Sequence, residues 1–202
     1  GTWGDIGCFS FFPTKNLGTS GDGGAIVTKD AGLSQRMQEL AVHGMPRRYV
    51  HNQLGYNSRL DALQAAILNV KLSKLPIWVK QRELVAHRYQ QLLKDVQGIV
   101  IPGKHLHENM SHAWNQFVVK VTGFPKSNKT FIKKIASQNE LDPSDNPLEG
   151  NSRDWLKERL YEKDINTIIY YPIPIHLQPA YRQLGYDVGS LPITEEICSQ
   201  VL

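Results

Sequence analysis

The stretch Ile6–Thr28, IGCFSFFPTKNLGTSGDGGAIVT, limits what this chain can fold into more than any other. Ile6–Phe12 has the aromatic and β-branched content of a buried strand. Pro13 lacks the N–H needed to continue a ladder, and a loop holding Gly18, Gly21, Gly23 and Gly24 leads into a second short strand at Ala25–Thr28. Lys15 therefore lies just past a core element, beside glycines that permit close approach of the backbone to a ligand. Ser10, near the strand end, places a hydroxyl where an anion can be met. Lysine is ordinarily a solvated surface charge. A partly desolvated lysine, by contrast, can lose its proton and attack a carbonyl. These residues by themselves leave both readings open. They do reject a nucleotide loop, because there is no GxxxxGK[ST] and a strand follows where a phosphate-binding helix would be required.

The remainder organises around helical periodicity. GLSQRMQELAVHG spaces Leu33, Met37 and Leu40 for a helix that stops at Gly44. Met45–Tyr56 reads as a loop. Ser58 is placed to cap the next helix, with Asp61 three residues on, and Leu60, Leu63, Ile67 and Val70 form an apolar stripe. Pro76 suits the first turn of a continuing helix, which runs with Val79, Ala86, Tyr89, Leu93 and Val96 toward a C-terminal cap at Gly98. This long bent helix is expected to connect two lobes. Beyond it the pattern is α+β: WNQFVVKV alternates like a strand, KTFIKKIAS and DWLKERLYEKDI are helical, and NTIIYYPIPIH reads as strand then loop. The turn-rich, acidic residues 138–152 read as an exposed insertion.

Composition narrows the function class. The net charge of +4 is mild, and its densest basic stretch, residues 126–134, has no interleaved aromatics, which speaks against nucleic acid as a partner. No apolar run approaches the ~20 residues that span a bilayer, and no secretory signal opens the sequence. Two well-separated cysteines, Cys8 and Cys198, point away from a disulfide scaffold or a metal site and toward a reducing, cytoplasmic setting. The sequence begins within two residues of strand-like residues and ends inside the helix-like EEICSQVL, so it is expected to be a section of a longer protein.

Four motifs, GDIGCFSFFPTKNLGTSGDGGAIVT, HG, LGYNSRLDALQAAIL and YYPIPIHLQPAYRQLGY, occur in an order and spacing that resemble the later half of the DegT family of sugar aminotransferases. The similarity covers nearly the whole chain outside residues 138–152. It implies an α/β, fold-type-I pyridoxal-phosphate transferase. Residues 1–75 would be the later part of the large mixed-sheet, cofactor-binding domain, and 76–202 the connecting helix and the small α+β lobe. By this resemblance Lys15 holds pyridoxal 5′-phosphate covalently and is the catalytic residue. Ser10 hydrogen-bonds the cofactor phosphate, and Asn57 reaches the phosphate of the neighbouring subunit, implying a homodimer with shared active sites. Tyr171 and His176 fall in the region that approaches the sugar. Arg47 and Arg48 are placed to meet a nucleotide diphosphate, since guanidinium matches phosphate geometry. His43 is read as a structural histidine beside a turn, while for His176 ligand contact and a structural role weigh equally.

The implied reaction moves an amino group from an amino acid donor, glutamate by analogy, to a keto-sugar nucleotide. The keto group is placed at C3 rather than C4, although Tyr170 stands where many 3-aminotransferases carry histidine. Relatives acting as dehydratases have histidine in place of the lysine, so Lys15 favours transamination. A non-catalytic binding or regulatory relative is the alternative. Other cofactor contacts of the family lie upstream of this sequence, so these residues by themselves are expected to bind cofactor poorly.

Overall fold

The computed structural model describes residues 3–103, 110–122 and 152–202. The chain divides into two compact units, Gly1–Val85 with His112–Asn115, and Ala86–Ser111 with Gln116–Leu202. The basic stretch, residues 138–151 of the insertion expected over 138–152, and the helix expected over KTFIKKIAS lie outside the described residues.

In the first unit β1 (Ile6–Ser10) and β2 (Gly24–Thr28) form an antiparallel pair in which Ile6 faces Thr28 and Ser10 faces Gly24. The pair matches the expected strand–loop–strand, with β1 ending two residues short of Phe12. Helix α1 (Ala31–Ala41) is capped by Asp30, whose carboxylate accepts the Leu33 N–H at 2.8 Å, satisfying one of the donors a helix start leaves unpaired. It ends at Ala41, and three residues on Gly44 turns the chain with φ +69°, where a Cβ would lie 1.9 Å from the Gln53 carbonyl oxygen. Only glycine fits there.

Helix α2 spans Ala62–Leu72 and begins four residues later than Ser58. Ser58 is not its cap: it lies before the helix on a segment held against α1, where its N–H donates to the Ala41 carbonyl at 2.9 Å and the Tyr56 N–H to the Leu40 carbonyl at 2.7 Å. Residues 56–58 are thus drawn alongside the end of α1 before the helix can start, and Asp61 takes the cap position without a side-chain bond. Helix α3 (Leu75–Leu93) restarts after a break at Ser73–Lys74, with Pro76 in its first turn as expected. Its N-terminal part belongs to the first unit, where Arg82 donates to the carbonyls of Trp114 and Asn115 at 3.1 and 3.3 Å. This tie attaches residues 112–115 to that unit.

In the second unit α3 ends at Leu93, before Gly98. Gly98 instead turns the chain at φ +80°, and its carbonyl accepts the Thr122 N–H at 2.7 Å. Strands β3 (Ile99–Val100) and β4 (Lys120–Val121) pair antiparallel, so only the end of WNQFVVKV enters a ladder. Val119 and Leu202 exchange both backbone hydrogen bonds, at 2.9 and 3.0 Å, bringing the last residue onto the same edge. Helix α4 (Ser152–Tyr161) and helix α5 (Pro192–Gln200) follow the expected helical segments. Arg153 is wholly buried and joins them, bonding Asp154 at 3.0 Å and the Cys198 carbonyl at 2.6 Å. Burial pushes the Asp154 carboxyl above the usual carboxylate range, against the attraction of Arg153. The strand expected over 166–171 is not formed in the described residues. No described strand pairs with it, and Pro172 and Pro174 carry no ladder donor.

Among the described residues the deeply buried apolar side chains are Leu68, Ala86, Ile101, Trp114, Val121 and Leu202. Of the stripe expected on α2, Leu63 and Val70 are 79% and 72% exposed and Ile67 is half-buried, while the neighbouring Leu68 is covered. No described helix is long and apolar enough to cross a membrane, and no described group of His, Cys, Asp and Glu is arranged to hold a metal.

Candidate functional site

The connection between β1 and β2 is a closed ring. The Phe11 carbonyl accepts the Thr19 N–H at 2.8 Å, and the Phe11 N–H donates to the Gly23 carbonyl at 2.8 Å. Thr19 is 2% exposed, with its hydroxyl within reach of the Phe11 carbonyl at 2.7 Å and of the Gly21 carbonyl. A hydroxyl has one proton, so it serves these two acceptors by turns. Inside the ring the Lys15 N–H donates to the Phe12 carbonyl at 2.8 Å, which turns the chain tightly at Lys15. The Lys15 side chain is exposed and, among the described residues, makes no hydrogen bond or ion pair. Ser10 ends β1, and its hydroxyl accepts the Phe12 N–H at 3.3 Å.

The glycines serve the ring itself. A Cβ at Gly18 would lie 2.7 Å from both the Phe12 and Pro13 carbonyl oxygens, and one at Gly24 would lie 2.9 Å from the Phe9 carbonyl oxygen. The close approach that these glycines allow is therefore chain against chain. Two side chains grip the ring from outside, and Asn16 ties it outward from within. Lys71 donates to the Gly18 carbonyl, Gln64 accepts the Ser20 N–H at 2.9 Å, and Asn16 donates to the Ala113 carbonyl at 2.6 Å.

The other residues expected in the first unit lie on the segment between α1 and α2. Asn57 is exposed and bridges Val42 antiparallel. Arg47 and Arg48 are exposed in a tight turn closed by the Val50 N–H to the Arg47 carbonyl at 3.0 Å. The Arg48 guanidinium lies over the Tyr49 ring at 4.8 Å. His43 sits at the turn after α1 with φ +66°, its N–H bonded to the Tyr56 carbonyl.

Tyr171 and His176 belong to the second unit and line a cleft of about 560 Å³ together with Tyr170, Tyr181, Tyr186 and Cys198. Tyr171 is 66% exposed, whereas His176 is buried and donates from Nε2 to Glu195 Oε1 at 3.0 Å. That carboxylate, itself 2% exposed, also accepts the N–H groups of Gly189 and Leu191 at 2.9 and 3.2 Å. Burial would raise the Glu195 pKa, but the Gly189 N–H, His176 and the Leu191 N–H together hold it below the usual range. His176 therefore has a structural partner as well as a place in the cleft wall. Burial likewise raises the Cys198 thiol, against the nearby Arg153 charge.

Sequence reasoning missed Thr19, Gln64, Lys71 and Glu195. One signal was available for two of them: Gln64 and Lys71 are seven residues apart, two helical turns, and so share a face of α2.

The family model described as DegT/DnrJ/EryC1/StrS aminotransferase family matches residues 1–142 and 143–202. The erythromycin biosynthesis sensory transduction protein EryC1 of Saccharopolyspora erythraea is 38% identical over all of this chain and 47% of its own length. The dTDP-3-amino-3,4,6-trideoxy-alpha-D-glucose transaminase of Streptomyces venezuelae is 34% identical over all of this chain and 45% of its own. The crystal structure of S. venezuelae DesV in complex with a ketimine intermediate superposes with a TM-score of 0.78 at 34% identity, covering 98% of this chain and 45% of that one. The fold is that of the fold-type-I α/β transferases. The chain spans about half the length of the curated relatives it matches.

Proposed function

The chain belongs to the DegT/DnrJ/EryC1/StrS aminotransferase family, and from that premise we propose that the whole protein is a cytoplasmic, homodimeric, pyridoxal-phosphate-dependent aminotransferase. It moves an amino group from an amino acid, glutamate in our reading, to a 3-keto-sugar nucleotide. The observation that carries this is Lys15: an untethered, exposed amine on a rigidly closed backbone ring, five residues beyond the Ser10 hydroxyl. An aldehyde cofactor with a phosphate needs an amine for the first group and hydrogen-bond donors for the second, and this ring supplies both kinds. The domain division at 75/76 and the shared active sites of the dimer belong to the same reading.

Lys15 would hold the cofactor, Ser10 would donate to its phosphate, and Asn57 would reach the phosphate bound by the partner subunit. When bound, the cofactor's pyridine ring takes up the electron pair released as a carbon–hydrogen bond breaks. Released when the donor's amino group takes its place on the cofactor, Lys15 Nζ would remove the proton from the α-carbon of the donor and return it at carbon C4′ of the cofactor, acting first as base and then as acid. The same nitrogen moves the proton in the opposite sense when the sugar is aminated. Arg47 and Arg48 would hold the diphosphate, and Tyr171 and His176 would contact the sugar.

The test is to incubate the full-length protein with pyridoxal phosphate, reduce with borohydride and map the modified peptide by mass spectrometry. A phosphopyridoxyl group on Lys15 is expected. An unmodified Lys15 in a folded dimer would sink the assignment. A second reading, a regulatory protein on the same scaffold, is favoured by the sensory-transduction name of the EryC1 relative. It predicts Lys15 labelling with no turnover of any keto-sugar nucleotide.

A further inference from the structure

We propose that Gln64 and Lys71 are positioning residues for Lys15, gripping from α2 the ring that aims its amine. Lys15 has no side-chain partner among the described residues, so the direction from which its amine reaches out is set by the backbone beneath it. That backbone is pinned at the ring's closing end. Lys71 Nζ donates to the Gly18 carbonyl at 2.5 Å, three residues beyond Lys15, and Gln64 Oε1 accepts the Ser20 N–H at 2.9 Å.

The two grips differ in kind. Lys71 gives a charge-assisted hydrogen bond, roughly twice as strong as a neutral one, on a half-buried side chain in the last turn of α2. Gln64 gives a neutral bond at an exposed backbone donor. Gly18 transmits the pull directly, because it lies so close to the Phe12 and Pro13 carbonyls that precede Lys15 that an added Cβ would be 2.7 Å from both oxygens. Loosening either grip lets the Gly18–Ser20 end drift, and with it the start of the Lys15 side chain. Small displacements of a reacting group lower its rate steeply, up to about 100-fold for ~1 Å.

This inference rests on the reading that Lys15 is the cofactor's anchor, and the test separates the two. In the full-length protein, pyridoxal phosphate is added, samples are quenched with borohydride over time, and phosphopyridoxyl at Lys15 is quantified, with Lys80, exposed and paired with Glu83 on α3, as a reference amine away from the ring. Lys71→Met is expected to slow Lys15 labelling about tenfold with Lys80 unchanged. Gln64→Ala should slow it by roughly threefold, the weaker bond giving the smaller effect. Lys71→Arg, which keeps the cation, should recover most of the rate. Before any cofactor is added, amide exchange at Thr19 and Ser20 should quicken in Lys71→Met and Gln64→Ala.

Equal Lys15 labelling in folded Lys71→Met and Gln64→Ala overturns the inference. If Lys71→Met does not fold, Gln64→Ala decides the question by the same readings. If the parent's Lys15 is not labelled at all, the cofactor reading fails instead. Unchanged exchange at Thr19 and Ser20 would then still overturn the positioning role.

Discussion

The ring that carries Lys15 and the buried pair His176–Glu195 meet opposite needs with the same kind of bond. In the ring the backbone is pinned and the Lys15 side chain is left loose. At the pair, the side chains are pinned, His176 at 8% and Glu195 at 2% exposure, and the turn at Gly189–Leu191 hangs from them. A group that must change partners during a reaction is served by a fixed base and a free end. A group that shapes a wall is served by full satisfaction of its polar atoms. Substitution should accordingly hurt reactivity in the first region and stability in the second.

The largest expected effect is at Lys15. Lys15→Ala should cut transamination by about 10²–10⁴-fold, the usual worth of a positioned acid–base group. Its thermal midpoint should stay near the parent's, since exposed substitutions usually shift stability by about 0.5 kcal/mol or less. Turnover of a keto-sugar nucleotide and a melting curve check both halves. Glu195→Ala should do the reverse, costing about 2–4 kcal/mol in urea unfolding by leaving His176 and two backbone N–H groups without their acceptor. A comparable loss of stability in Lys15→Ala would erase the contrast between the regions.

Acid sharpens the comparison. The folded Glu195 pKa lies below its ordinary value, so the folded state favours the carboxylate. This stabilisation is complete above the ordinary glutamate range and is lost as pH falls from there through the folded pKa. Urea unfolding of the parent should therefore weaken on the acid side of about pH 5, and Glu195→Gln should flatten that limb. A Glu195→Gln protein with an unchanged acid slope would mean that the pair does not govern the unit's acid stability.

Local chemistry made much of this legible in advance. The strand–loop–strand around Lys15 and the restart at Pro76 each depend on residues a few positions apart and lie where expected, and Gly44 has the left-handed φ of a helix stop although α1 ends three residues before it. Capping was harder. Ser58 has the right side chain for a cap, yet its N–H is claimed by Ala41, which sequence spacing cannot reveal. Gly98 has the left-handed φ expected of a helix terminus, but the helix ends five residues earlier and the glycine serves a turn into β3. On α2 the apolar stripe drew attention to Leu63 and Val70, and the polar pair on the helix that touches the ring passed unseen. Glu195 was hidden for another reason: its partner lies 19 residues away across a turn.

One glycine from each unit gives the next test. At Gly18 an added methyl meets two backbone oxygens at 2.7 Å, whereas at Gly185 it meets nothing within 4 Å and suffers only from a φ of +75°. Gly18→Ala should cost about 1–3 kcal/mol through overpacking and should quicken amide exchange across the ring, because backbone cannot step aside as a side-chain end can. Gly185→Ala should cost about 1–2 kcal/mol from backbone conformation, with no change in exchange at Thr19. Equal exchange in the two variants would show that the ring is not tightly closed.

The smallest expected effect is at Arg48, and it asks whether exposure in the first unit goes with function there, as proposed for Lys15. The guanidinium lies over the Tyr49 ring at 4.8 Å on an exposed turn, a contact worth about 0.5–1 kcal/mol at such a site. If that stacking were its whole role, Arg48→Ala would lower the melting temperature slightly and leave kinetics unchanged. If it also meets the nucleotide diphosphate, KM for the sugar nucleotide should rise about tenfold with kcat held, because ground state and transition state lose the same binding. Arg48→Lys divides the outcomes further: a point charge keeps part of the phosphate attraction but cannot reproduce the planar, two-pronged contact. A KM for Arg48→Lys between those of the parent and Arg48→Ala is therefore the result expected of a phosphate-binding arginine, and parental KM in both variants would assign Arg48 to the turn.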